Sequence, residues 1–214
     1  MLPKHLALVA AALIAASDPA PAAMVKGLAT VPSATAMREG EGARAPLGFI
    51  DYCRRYPIDC RALVMPPDGA AGQPVPTSEQ RWSELVRVNR EVNAAIRPRP
   101  DLEQHRIADV WSLAPAAGDC EDYALTKRRR LQALGWPARS LLIAIAEDRA
   151  GSQHAVLVAR TDRGDLVLDN LSDDIVDWSR LDYGWVKRQS VADPRRWVTL
   201  VDASDDVPAQ RPAQ

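Results

Sequence analysis

Apolar residues recur along the chain with two different periods. From Glu79 to Ile96, the residues Trp82, Leu85, Val86, Val88, Val92 and Ile96 fall near one face with charges elsewhere, which predicts an amphipathic helix. Thr77 or Ser78 is placed to cap it, and Pro98 and Pro100 stop it. A second helix is predicted from Cys120 to Leu134. Asp119 stands at its N-cap, Gly135 holds the place of a C′ glycine, and Pro137 lies just beyond. Cys120 thus becomes the first residue of a helix. Downstream the pattern changes to short apolar runs. Ser140–Ala146, Gln153–Arg160 and Leu166–Leu171 read as strands, separated by turns at Asp148–Ser152 and around Gly164. Shorter strands are expected near Tyr183–Gln189 and Trp197–Val201. The apolarity of these runs is continuous, so both faces of the sheet should be covered.

The N-terminus follows another logic. Lys4 precedes an apolar run from Leu6 to Ala16, and Ala20-Pro21-Ala22 supplies a small-residue cleavage site, the three parts of a secretory signal peptide. The run is too short for a membrane anchor, which needs roughly 20 residues. We therefore expect a signal peptide over residues 1–22 and a periplasmic or secreted protein. An Ala/Gly/Pro-rich flexible linker is expected over 23–46, one folded domain over 47–203 and a disordered tail over 204–214. The Pro/Gly-rich run from Ala62 to Pro76 reads as a loop.

Composition narrows the class. The 214 residues are 47% hydrophobic and 26% charged, which excludes wholesale disorder and a membrane bundle. A net charge of -1 gives no electrostatic reason for a nucleic-acid partner. Export matters most for the three cysteines, because oxidising compartments pair exposed thiols. Cys53 and Cys60 lie seven apart, and Pro57 breaks the helical pattern between them, so the chain can turn back and join them. Two buried thiols are the alternative. Cys120 would then stand alone.

A thiol at the start of a helix faces unpaired backbone N–H groups that favour its thiolate. Glu121 and Asp122 oppose that effect, so an imidazolium partner would matter. His154 begins an apolar strand where an imidazole has no obvious packing duty, and Asp169 lies on the next strand. Read together, Cys120 is a nucleophile, His154 its base and Asp169 the group that orients the ring. Each also has a bland reading, a core cysteine or a satisfied structural histidine. Register weighs against the triad: a two-residue turn at Arg163-Gly164 would pair Asp169 with Val158. That leaves it four positions from His154, roughly 13 Å at strand rise. An earlier turn or a bulge is required. The run Lys127-Arg128-Arg129-Arg130 reads as a solvated helix face, His105 as a surface residue, and Glu147 and Asp148 as turn residues. Trp111 is a weak candidate for an oxyanion donor beside its reading as a core aromatic.

Several separated segments occur in an order that resembles a known family. GDCEDYAL at 118–125, QHAVLV at 153–158 and LVLDNL at 166–171 resemble the bacterial transglutaminase-like cysteine peptidases, which include the LapG-type periplasmic adhesin proteases. The segment from Phe49 to Cys60, the Asp109-Val110-Trp111 lead-in and the run Tyr183–Ser190 belong to the same resemblance, which spans about Phe49 to Val201. It implies an α+β papain-like, transglutaminase-type core, with the catalytic helix packed on an antiparallel sheet, and Cys120, His154 and Asp169 as the catalytic set. For LapG-type members it implies calcium at the acids flanking the cysteine, here Asp119 and Glu121. It also implies a protein or peptide substrate such as a surface adhesin, and an inner-membrane regulatory receptor as partner. No cofactor is required for the chemistry itself. A transamidase using the same triad, or a non-catalytic binding module, stand as alternatives to the peptidase.

Overall fold

The computed structural model describes residues 36–60, 73–113 and 116–201. The expected signal peptide, most of the linker, most of the Ala62–Pro76 loop and the expected tail lie outside those residues. In chain order the elements are β1 (Arg38–Ala43), α1 (Leu47–Arg55), α2 (Glu79–Ala95), β2 (Arg97–Pro98), α3 (Asp101–His105), β3 (Ala117–Gly118), α4 (Cys120–Ala133), β4 (Leu141–Glu147), β5 (Gln153–Thr161), β6 (Gly164–Leu168), β7 (Val176–Asp177), β8 (Gly184–Gln189) and β9 (Trp197–Val201). Seven strands form one antiparallel sheet in the order β1-β9-β8-β4-β5-β6-β7, and β2 with β3 makes a small parallel pair. The chain has the mixed helix and antiparallel-sheet architecture of an α+β papain-like core.

Both faces of the sheet are covered, as the unbroken apolarity of β4 and β5 predicts. On one face, Leu141, Ile143, Ile145, Ala155, Leu157 and Ala159 pack with Leu85, Val88 and Val92 of α2 and Tyr123, Leu125 and Leu131 of α4. On the other, Ala144, Val156, Val158 and Val167 gather with Met37 and Trp178. Trp111, Phe49 and Trp197 meet edge to face beside the first core. Among the described residues, no helix is long and apolar enough to cross a membrane.

The helix boundaries follow local chemistry. Ser78 Oγ accepts the Arg81 N–H at the start of α2. Gly135 takes φ +84°, and Trp136 N–H returns to Leu131 C=O, closing α4 as a C′ glycine does. Three expectations change. The stretch read as linker contains β1, which pairs with β9. Its anchors are nonlocal: Met37 N–H donates to Asp165 Oδ2 at 2.9 Å, and Arg188, fully buried, pairs with both Glu39 and Asp165. The strand expected to reach Leu171 stops at Leu168. Lys127 and Arg128 are buried, because their side of α4 faces the protein, and only Arg129 and Arg130 meet solvent.

Cys53 and Cys60 form a disulfide. Helix α1 ends at Arg55 and the chain reverses before Cys60, as the proline at position 57 predicts.

Candidate active site

Helix α4 and strand β5 deliver the first two candidate residues to one cavity of about 420 Å³, which Cys120, His154, Asp119, Glu121, Gln153 and Lys187 help to line. Cys120 opens α4, and His154 is the second residue of β5. The N–H of Ala155, immediately after His154, faces the Cys120 sulfur. A second cavity of similar size beside Cys60 and Arg128 holds none of the candidates.

Strand register decides whether Asp169 can take part. The β5–β6 turn falls one residue earlier than Arg163-Gly164, with Thr161 opposite Gly164 and Leu157 opposite Leu168. Asp169 therefore leaves β6 diagonally across from His154, within reach of a ring. His154 Nε2 and Asp169 Oδ1 are 2.8 Å apart, and both residues are buried. Asp169 Oδ1 also accepts the Leu171 N–H, and its Oδ2 accepts the Tyr183 hydroxyl at 2.7 Å. Burial disfavours its charge, but these bonds, led by His154, outweigh burial and hold the carboxyl below its ordinary range. Nε2 is thus committed to Asp169. Nδ1 is the ring nitrogen left for other partners.

The thiol is held differently from a bare helix N-terminus. Cys120 Sγ donates to Glu121 Oε2 at 3.3 Å. Burial pushes the thiol up and the Glu121 carboxylate pushes it further, while the Ala155 N–H opposes them. In this arrangement the neutral thiol is favoured.

Asp119 stands at the N-cap of α4, yet its side chain makes no capping bond. Its Oδ2 instead accepts the Asp101 N–H at 3.0 Å. Asp101, Asp119 and Glu121 bring carboxylate oxygens within 4.8 Å of one another. Burial first, then the Asp119 charge, pushes Glu121 up to about 9. Among the described residues, Oδ1 of Asp101 and Oδ1 of Asp119 are buried with no hydrogen-bond donor. Clustered hard oxygen ligands are what a calcium ion takes, so the residues fit that ion, although three carboxylates leave its shell incomplete and His105 Nε2 lies 3.9 Å from Asp101 Oδ1.

Asp122 Oδ1 accepts from Ser112 N–H and Oγ at 2.6 and 3.0 Å, tying the Asp109–Ser112 lead-in to α4. Gly118 is obligatory beside it, since a Cβ there would sit 2.1 Å from Asp122 Oδ2. Trp111 is a core residue whose Nε1 donates to Asp109, in keeping with its packing role. His105 lies at the surface against Gln104.

Three participants escaped the sequence reading: Tyr183, Asp101 and Asn93. Tyr183 binds the far oxygen of Asp169 and meets the His154 ring edge-on at 5.7 Å. Asn93 Nδ2 donates to the Asp169 and Ser172 carbonyls and to Asp173 Oδ1. A signal existed only for the last: Asn89 and Asn93 interrupt the apolar side of α2 at helical spacing.

The sequence matches the family of bacterial transglutaminase-like cysteine proteinases over residues 39–205. No curated protein matches it. Among solved structures, calcium-bound LapG of Legionella pneumophila is similar at 27% identity over 57% of this chain and 72% of that one, with a TM-score of 0.48. The EGTA-treated form of the same protein gives 26% identity, 59% and 74% coverage and a TM-score of 0.47.

Proposed function

The chain belongs to the bacterial transglutaminase-like cysteine proteinase family, and from that premise we propose that it is an exported peptidase working through Cys120, His154 and Asp169. One observation carries the reading: the buried 2.8 Å contact between His154 Nε2 and Asp169 Oδ1, at the cavity that also holds Cys120. A carboxylate so placed fixes the imidazole tautomer and steadies its cation.

The cycle follows from these groups. His154 Nδ1 takes the Cys120 proton, and the sulfur adds to the peptide carbonyl carbon. The Cys120 N–H, free at the helix start, faces the developing oxyanion. His154 returns the proton to the leaving amine as the C–N bond breaks, leaving a thioester. Water, deprotonated by His154, then adds to the thioester and the thiol departs.

Glu121 stands against this cycle while it holds the thiol proton in place. Asp101, Asp119 and Glu121 are the residues that would hold calcium, whose charge would offset theirs and favour the thiolate. Asp169 does not depend on it, being anchored by His154, Tyr183 and Leu171.

The deciding experiment compares the N-termini of periplasmic and surface proteins in cells carrying wild-type protein or Cys120→Ser. Termini present only with the wild type support the peptidase and identify its substrate, an adhesin or another surface protein. Covalent incorporation of a labelled primary amine in place of hydrolysis would instead assign a transamidase. Neither result, with Cys120→Ser behaving as wild type in cells, would assign a binding module. Sequencing the mature N-terminus tests export, with cleavage expected near Ala22.

A further inference from the structure

The helix that opens with Cys120 carries a buried cation that the cycle does not use. Lys127 is fully buried, and its Nζ has no hydrogen-bond partner among the described residues. Two neighbouring contacts show which part of α2 its helix runs against. Tyr123 Oη donates to the Ile96 carbonyl at 2.5 Å, and Arg130 pairs with Glu91 at 3.4 Å. Lys127 lies between them on α4, on the part of the helix that runs along the Glu91–Ile96 stretch of α2, with the Tyr123 ring 5.9 Å from its ammonium.

The same stretch of α2 tethers the segment that follows β6. Asn89 Nδ2 donates to the Ser172 carbonyl, and Asn93 Nδ2 to the Asp169 carbonyl. Among the described residues, the Oδ1 atoms of both asparagines are buried without a donor. A donor-only ammonium and two acceptors lacking donors thus occupy one helix interface. Asp169 and Asp173, both on the tethered segment, are the acids whose charge favours the Lys127 ammonium. Burial acts against that charge and pushes Lys127 down to about 7.

We propose that Lys127 is a positioning residue: its buried side chain, set between the tethering asparagines and the Asp169–Asp173 segment, holds the Asp169 carboxylate where His154 needs it. The proposal rests on the triad reading above. Burying a charge without a hydrogen-bond partner costs stability, and the positioning role gives that cost a purpose. Lys127 acts on the site through Asp169 and touches no reacting atom.

Cys120 is the free cysteine and the other two are joined, so alkylation of the full-length protein by iodoacetamide reports on this site without a known substrate. In Lys127→Met, which keeps length and removes the charge, the alkylation rate at pH 7 is expected to fall about tenfold. The rise of that rate with pH should move upward, and the melting temperature should stay level or increase. Asn93→Ala should shift the rate in the same direction. A folded Lys127→Met with wild-type rate and pH profile overturns the proposal. Should that variant not fold, wild-type behaviour in Asn93→Ala overturns it instead. His154→Ala separates the two levels: a deficit there with a normal Lys127→Met removes only the role of Lys127, whereas a normal His154→Ala removes the triad reading itself.

Discussion

Asp169 meets His154 on a diagonal, from the first residue beyond β6, and the 2.8 Å contact exists because the β5–β6 turn places Leu157 opposite Leu168. A turn one residue later would pair Asp169 with Val158 and put the carboxylate about 13 Å along the sheet. The candidate triad is therefore a product of one hairpin's register. Thr161 fixes that register by bonding across the turn, its Oγ1 donating to Gly164 C=O and accepting Arg163 N–H.

Asp169→Asn should leave the fold intact and lower the peptidase rate by roughly 10²- to 10⁴-fold, since an amide cannot stabilise the imidazolium or enforce the tautomer. Tyr183→Phe removes only one bond to the far oxygen, a bond to a charged group worth about 1.5–3 kcal/mol, so a loss of roughly 10- to 100-fold is the most expected. Cleavage rates of the two variants on one substrate, with circular dichroism for the fold, check the ordering.

Calcium titration should raise the melting temperature, because an ion that binds only the native state stabilises it by mass action. Asp101→Asn should abolish most of that rise. Asp101 was outside the sequence-based ligand set, so a wild-type response in this variant would return the site to Asp119 and Glu121 alone. Calorimetry with and without chelator reads the effect.

Gly118→Ala forces a methyl to within 2.1 Å of the Asp122 carboxylate. Overpacking of this kind costs about 1–3 kcal/mol, and the displaced Asp122 would also loosen its bonds to Ser112. A lower urea midpoint with an unchanged slope is the expected denaturation result.

Lys127 gives a pH dependence of stability with a definite sign. Burial lowers its pKa to about 7 from 10.5, so between those values the unfolded chain binds more protons than the native one. Native stability therefore gains from this group as pH rises from about 7 to about 10.5. Lys127→Met lacks that gain. Its stability advantage over wild type should be largest near pH 6 and should vanish by about pH 11, as measured by urea melts across the range.

Helices α2 and α4 were legible because their caps, apolar stripes and stop signals lie within the segments themselves, and the predicted and observed ends of α4 differ by one residue. Cys120 and His154 were legible for the same local reason, a helix start and a strand start. Asp169 was named as the partner of His154, but the turn assumed from the sequence left it four positions away, since its position hangs on where a turn falls. Lys127 and Arg128 were misplaced because a charge is assigned to solvent unless the facing surface is known. Tyr183 and Asp101 act across sequence separations that no periodicity records, and the helical spacing of Asn89 and Asn93 marks a polar stripe without naming what it meets.

The clasp between Met37 and Asp165, with Arg188 and Glu39 beside it, sets a limit on how far the N-terminal side of the chain can be cut back. Trimming upstream of Met37 leaves the clasp whole. A protease that cut inside it would free β1 from the sheet margin and strip Arg188 of one of its two counter-ions. The fold thus depends on an intact first strand, and a cut that removed Met37 to Glu39 would cost it both the backbone bond to Asp165 and a counter-ion of Arg188.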